Sequence, residues 1–417
     1  MNPFPVVWAN LRRNSFTSIL FIAVVALAVA LGIAISAQER ALREGSARAA
    51  DRFDIIVAAP GSPNDVLFSV VYLNPTAVTL LEPDTAARLM AEPRAQIVAP
   101  IGFGDSIGGA PVVGTTAAFV EHLSDGLAEG RPFAVRDEAI VGALVPQPVG
   151  SVLEVSHGGG DADAAADALA AGADAHDRDH DHDDHAHHAD VTVVGRMHPT
   201  GTPWDRAIVV PIEYNWLAHD LGTGHAPEDD HIGPPFDPAY LPGVPALVVK
   251  PQDVAAAYGL RGAYRTDSSM AFFPAEVLVE LYAVLGDAAA IMSGLTLVSQ
   301  ALVVASILAG LVAILDLQRR RFAVLRALGA SRLFVFGSVW LQVGTLVVTG
   351  ALVGVALGWG LAALVSDLLA SRTGVAMQAT VGARELALAA TLVGLGLLLA
   401  TIPALLVYRR PVVDALR

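Results

Sequence analysis

The densest chemistry in the chain lies between residues 174 and 190, which read D-A-H-D-R-D-H-D-H-D-D-H-A-H-H-A-D. His176, His180, His182, His185, His187 and His188 alternate there with Asp174, Asp177, Asp179, Asp181, Asp183, Asp184 and Asp190. Neutral imidazole and carboxylate are ligands for zinc, nickel and copper(II), and several can gather around one ion in a pliable loop. The spacing defines no single rigid site, unlike two histidines four apart on a helix. Divalent-metal binding in vitro is expected. Whether the ion has a physiological role, or the stretch is only a solvated acidic loop, composition leaves open. The wider segment, about 158–190, opens on Ala, Gly and Asp and lacks the apolar surface to fold alone, so it reads as a mobile insert.

Other chemistries are weak or excluded. Gly104-Asp105-Ser106-Ile107-Gly108 fits the G-x-S-x-G pattern of a nucleophile elbow, but that elbow needs a helix directly after it. Gly109, Ala110 and Pro111 follow instead, which favours a glycine-rich turn between strands. The chain has no cysteine, so thiol catalysis, thiolate metal sites and disulfides are out. A P-loop needs lysine after a glycine-rich turn. The one lysine, Lys250, precedes Pro251 and follows no such turn, so any ATP and its Mg²⁺ must be handled by another subunit.

The elements that would position these groups are set by hydropathy. The chain is 54% hydrophobic with mean hydropathy +0.53, the balance of a membrane protein. Uncharged runs at 14–38, 288–315, 333–366 and 386–408 each exceed the roughly 20 residues that cross a bilayer. Residues 39–287 carry 14 basic and 37 acidic side chains, and the remainder 12 basic and 4 acidic. A basic cytoplasmic side and an acidic exported domain produce that asymmetry. No basic face outside the membrane-proximal loops is available for nucleic acid.

Five arginines, Arg319, Arg320, Arg321, Arg326 and Arg332, fall between the second and third runs, where short basic loops are cytoplasmic. Phe322, Leu325, Leu328 and Leu333 recur there at helical spacing, predicting a surface helix over 316–332 with one apolar edge. Gly329 then lets the chain turn into the third span. Residues 1–13, with Trp8, Leu11, Arg12 and Arg13, read as an interfacial helix on the lipid surface. The first run is longer than the 7–15 residues of a signal-peptide core, so a retained span is expected over cleavage near Ala34–Ala37. Both termini, with the tail at 409–417, then lie in the cytoplasm.

The segment R-R-R-F-A-V-L-R-A-L-G-A-S, with the ending P-A-L-L-V-Y-R-R-P-V-V-D-A-L-R (403–417), resembles FtsX/MacB/Lol-type ABC transporter permeases. That family places Glu just ahead of the position of Phe322, and often another early in the third helix. Arg321 and Gln342 stand there in this chain, which would alter the salt bridges at an ATPase contact. Gly130–Gly142 (G-R-P-F-A-V-R-D-E-A-I-V-G), Ala59–Pro63 and the turn P-T-G-T-P-W-D-R-A (199–207) are similar to exported domains of the family.

The resemblance implies a fold and a role. The fold is an integral membrane protein of four transmembrane α-helices, with a large mixed α/β extracytoplasmic domain inserted between helices 1 and 2. The role is mechanotransmission: a cytoplasmic ABC ATPase moves the coupling segment Arg319, Arg320, Arg321, Phe322, Leu325, Arg326, Leu328 and Gly329, and the first two spans relay the motion outward. The chain would act in a bacterial inner membrane as a homodimer, or a pseudo-dimer with a similar permease. It would export or extract a lipoprotein, peptide or small hydrophobic compound. An FtsX-like regulator of an exported hydrolase, or a metal-linked system using the histidines, are the alternatives. The absence of charge inside the four runs fits handling of substrate outside the membrane rather than through a pore.

Within this frame, Glu39–Arg43 and Glu44–Arg48 have i,i+4 ion-pair spacing, so the first span should continue outward as a stalk. Val277, Leu278, Leu281 and Leu285 mark a returning stalk over 275–286. Expected strands are 54–58, 139–141, 191–194, 207–210 and 246–249, with an ordered surface loop at 218–245. Gly350, Gly354 and Gly358 form a double small-xxx-small repeat suited to close helix packing. An outer loop is expected at 367–385.

Overall fold

The computed structural model describes residues 3–153, 190–283 and 329–409, together with 294, 301, 304, 305, 308, 324 and 325. It falls into two units, one of Met1–Glu44, Ala283–Ala370 and Met377–Arg417, the other of Gly45–Tyr282 and Ser371–Ala376.

In the first unit, α1 (Phe4–Arg13) precedes α2 (Ser15–Ala50), whose last six residues belong to the second. At 1.5 Å per residue α2 is about 54 Å long, well beyond a hydrocarbon core of about 30 Å. Its C-terminal part carries the i,i+4 pairs Glu39–Arg43 at 3.1 Å and Arg40–Glu44 at 3.9 Å. Among the described residues, three helices are long and apolar enough to cross a membrane: Ser15–Ala50, Arg332–Thr373 and Ala383–Thr401. The expected second span lies outside the described residues apart from 294, 301, 304, 305 and 308, which are helical.

The third helix corrects its expected end. It runs past 366 to Thr373, because Asp367 alone does not stop a helix and Leu368, Leu369 and Ala370 continue it. Gly374, with φ +75°, is what ends it. The helix to Arg409 starts at Ala383 rather than 386, so the loop between the two helices shrinks to 374–382.

The second unit is a mixed sheet of ten strands: β1 (Ile55–Ala58), β2 (Ala95–Ile107), β3 (Ala110–Thr115), β4 (Leu127–Gly130), β5 (Glu138–Val141), β6 (Val152–Leu153), β7 (Val191–Met197), β8 (Ile208–Pro211), β9 (Ala246–Pro251) and β10 (Met270–Phe272). Their order is β10-β1-β9-β2-β3-β8-β5-β7-β4, with β6 beside β7. Among the described residues only β3–β8 and β5–β7 run parallel. All five strands expected from sequence are present.

Both faces are covered, which is why β1, β8 and Ala139–Val141 of β5 read as unbroken apolar runs rather than alternating ones. Helices α3 (Pro63–Val70) and α5 (Ala117–Ser124), with the helical stretch 274–283, bring Leu67, Val70, Phe119, Val277 and Leu278 against Ile56, Ile101, Val113 and Val209. On the other face α4 (Pro83–Met90), α6 (Ile212–Ala218) and α7 (Val254–Ala263) bring Leu89, Trp216 and Leu260 against Ile55, Val57, Leu247 and Val249. The last two helices of the chain are α8 (Arg332–Thr373) and α9 (Ala383–Arg409).

Candidate functional site

Of the expected coupling residues, Arg319, Arg320, Arg321, Phe322, Arg326 and Leu328 lie outside the described residues, while Leu325 and Gly329 are described. Gly329 takes φ +94°, and the Ala330 N–H donates to the Leu325 carbonyl at 3.0 Å. That six-residue bond is the signature of a Schellman stop, with Gly329 in the left-handed position. Two residues later the Ser331 hydroxyl accepts the Phe334 N–H at 3.2 Å, an N-cap for α8. Gly329-Ala330-Ser331 thus closes one turn and begins the next helix within three residues. Leu325 packs on Val335 and Val339 in the first two turns of α8, which fixes the corner.

Gly350, Gly354 and Gly358 lie along one edge of α8 against α2. A Cβ at these positions would stand 2.7 Å from the Val25 Cβ, 2.6 Å from the Ala26 carbonyl oxygen and 2.7 Å from the Ala30 carbonyl oxygen, respectively. No side chain fits there, so the glycines set the spacing of the two helices. Val25, Val29 and Ile33 of α2 and Val343, Leu346, Val347 and Ala351 of α8 complete the contact. Gln342 is buried.

Sequence reading missed a polar cluster where α2 meets the start of the last helix. Glu385, fully buried, accepts from Ser36 Oγ and from Arg40 Nη1, each at 2.8 Å. It also accepts the Gly382 N–H at 2.8 Å, the reach-back half of a capping box for α9. Arg40 donates in addition to the Thr380 carbonyl. A carboxylate buried this deeply persists because every contact is charge-assisted. Arg40 and Glu385 are 345 residues apart, and no local pattern links them.

In the sheet unit the quoted motifs are structural. Gly130 has φ +79°, and a Cβ there would meet the Val194 carbonyl oxygen at 2.1 Å. Glu138 takes a two-pronged contact from Arg131 and the Ala134 N–H at 2.7 Å. The Arg131 guanidinium, seconded by the Ala134 and Val135 N–H groups, holds its carboxyl below the usual range against the opposing effect of burial. Gly104–Gly108 is no elbow. Ser106 pairs with Pro111 and Ile107 with Ala110, around Gly108 and Gly109 at φ +57° and +81°, a two-residue hairpin turn. Lys250 sits in β9, its Nζ 3.2 Å from His122 Nδ1, far from any phosphate-loop geometry. Burial and this lysine push the His122 pKa down.

The 218–245 stretch is anchored by buried Glu213, which accepts the Gly233 N–H at 2.6 Å and lies 3.5 Å from His225 Nε2. Burial raises the pKa of this carboxyl. His176, His180, His182, His185, His187 and His188 lie outside the described residues. Among the described residues no group of three His, Asp or Glu side chains is arranged to hold a metal ion.

Residues 293–412 match the family model for the FtsX-like permease C-terminal domain. Among solved structures, the periplasmic region of MacB from Actinobacillus actinomycetemcomitans is similar over 56% of this chain and 95% of its own, at 10% identity and TM-score 0.33. The extracellular domain of the noncanonic ABC-type transporter YknZ from Gram-positive bacteria is similar over 52% of this chain and 98% of its own, at 9% identity and TM-score 0.28. No curated protein sequence matches.

Proposed function

We propose that this chain, a permease with an FtsX-like C-terminal domain, transmits ATP-driven motion from a separate cytoplasmic ATPase to its sheet domain outside the membrane. The work done there is export or extraction of a lipoprotein, peptide or small hydrophobic substrate, by a homodimer or a pseudo-dimer with a similar subunit. The observations that support this reading are the helix contacts. Leu325 is keyed onto Val335 and Val339, and α8 is set against α2 by three glycines. The rod α2 then runs unbroken from Ser15 to Ala50. A push on Arg319–Leu333 moves α8 and, through the glycine seam, α2.

Charge reversal at Arg319, Arg320 and Arg321, or Leu325→Pro, tests the reading. Proline in a helix interior costs about 3 kcal/mol, enough to unwind a short surface helix. Both variants should reach the membrane yet lose ATPase binding or stimulation, and normal binding and stimulation in both would refute it. A reporter fused after Leu217 should be active only outside the cytoplasm and one after Arg320 only inside. The same path would serve a regulator of an exported hydrolase. Co-purification from native membranes separates the two, since a regulator brings down its hydrolase and a transporter its substrate.

A further inference from the structure

One motif has no part in that path, the turn P-T-G-T-P-W-D-R at 199–206. It is built into the sheet unit with unusual care. The buried Asp205 carboxylate accepts the Thr200 N–H at 2.8 Å, the Thr200 hydroxyl at 2.7 Å and the Gly201 N–H at 2.7 Å. Trp204 is fully buried between Phe53 and Phe119, with ring centroids 6.1 and 5.8 Å away, and its indole N–H donates to the Val70 carbonyl at 3.2 Å. A turn fixed this firmly leaves its remaining groups, the Gly201 carbonyl and the Arg206 guanidinium, at set positions. Both are used by residues 371–376, which belong to the sheet unit although the chain on either side of them does not.

The contacts are specific. The Ala376 N–H donates to the Gly201 carbonyl at 2.9 Å. Arg206 donates through Nη2 to the Ser371 carbonyl and through Nη1 to the Arg372 carbonyl at 3.5 Å. Those carbonyls are in the last turn of α8, where the helix dipole favours a cation. Gly374, at φ +75°, lies so close that a Cβ would stand 2.9 Å from the Pro203 Cα. Arg48 Nη2 adds a bond to the Ala376 carbonyl at 3.3 Å.

The geometry points to the 199–206 turn as a clasp for residues 371–376, through which the hairpin of α8 and α9 drives the sheet domain directly, in parallel with the stalks. This rests on the transmitter reading above and adds a second mechanical connection to it. Arg206 is a positioning residue of that connection.

The test uses the full chain with its ATPase in lipid vesicles. Because the protein has no cysteine, the pair Gly201→Cys and Ala376→Cys is the only thiol pair present. A Cβ on residue 201 would be 3.2 Å from that of Ala376, a few tenths below the roughly 3.5–4.5 Å of a disulfide. Oxidation without nucleotide should join the two. Separately, nitroxides on Val254→Cys and Leu386→Cys, exposed positions, report the distance change between the nucleotide-free and vanadate-trapped states. Arg206→Ala and Gly374→Val should each cut that change to less than half while leaving ATPase binding intact, and Arg206→Lys should restore part of it.

Failure of the disulfide to form, or an undiminished distance change in both Arg206→Ala and Gly374→Val, overturns the clasp. No distance change in the unaltered chain overturns the transmitter reading and the clasp's mechanical role with it, and a disulfide that still forms marks that failure as distinct.

Discussion

In the sheet domain, space between elements is filled: Trp204, Phe53 and Phe119 meet under the sheet at ring distances of 5.6–6.1 Å. Between α2 and α8, space is removed instead, and three glycines let backbone approach backbone until a methyl group no longer fits. The contrast follows from the solvent. Water rewards burial of large apolar surface. Lipid offers helices no such reward, so close dispersion contacts must hold them. Sensitivity to substitution should therefore have opposite signs in the two regions.

The largest effect expected is Trp204→Ala, which should lower the stability of the sheet domain by about 3–5 kcal/mol, read by limited proteolysis of the full chain in detergent. The fragments carrying α8 and α9 should stay protected. The reciprocal change is Gly354→Val. It should cost about 1–3 kcal/mol or more through overpacking, seen as a lower melting temperature of the membrane unit with an unchanged proteolytic pattern in the sheet domain. Equal damage to both regions by either substitution would erase the contrast.

Smaller effects sharpen it. Ser331→Ala removes the α8 cap and should cost about 1 kcal/mol, in thermal unfolding of the membrane unit. In the sheet domain, Glu138 has a folded pKa below its ordinary 4.5. Its contribution is therefore present above about pH 4.5 and lost as pH falls through the lowered value. Glu138→Gln should flatten that acid limb of a stability–pH profile and leave the neutral region less stable by about 1 kcal/mol. Deleting residues 176–188 should leave both melting transitions unchanged while abolishing most zinc, nickel or copper(II) binding. Metal binding that survives the deletion would show the histidines are not the ligands.

What was legible in the sequence follows the same division. Glycines at 350, 354 and 358 announce a packing edge by spacing alone, but not that Val25, Ala26 and Ala30 lie across it. Five apolar β-branched runs were readable as strands because both faces are covered. The longest strand, β2, was not. Pro100, Gly102 and Gly104 break its pattern, and it changes partner from β9 to β3 midway, with a bulge between Phe103 and Ser106. Gly102 and Gly114 are required because Asn215 of α6 packs onto them, 2.0 and 2.6 Å from where their Cβ atoms would be, a reason visible only in three dimensions. The Arg40–Glu385 pair and the hold on residues 371–376 were equally hidden, since each joins groups more than 150 residues apart.

The place of the histidine-bearing stretch in the sheet has a consequence for how the protein can change. The chain leaves the sheet at Leu153 and re-enters at Val191, and those two residues are partners on adjacent antiparallel strands, about 5 Å apart. A socket of that kind is nearly indifferent to what is plugged into it, because closing a loop twice as long costs only about 0.6 kcal/mol more. Lineages could lengthen, shorten or exchange this cassette without renegotiating the surrounding ladder. A fluorescent protein or an affinity module could be seated at the same two residues in the full chain.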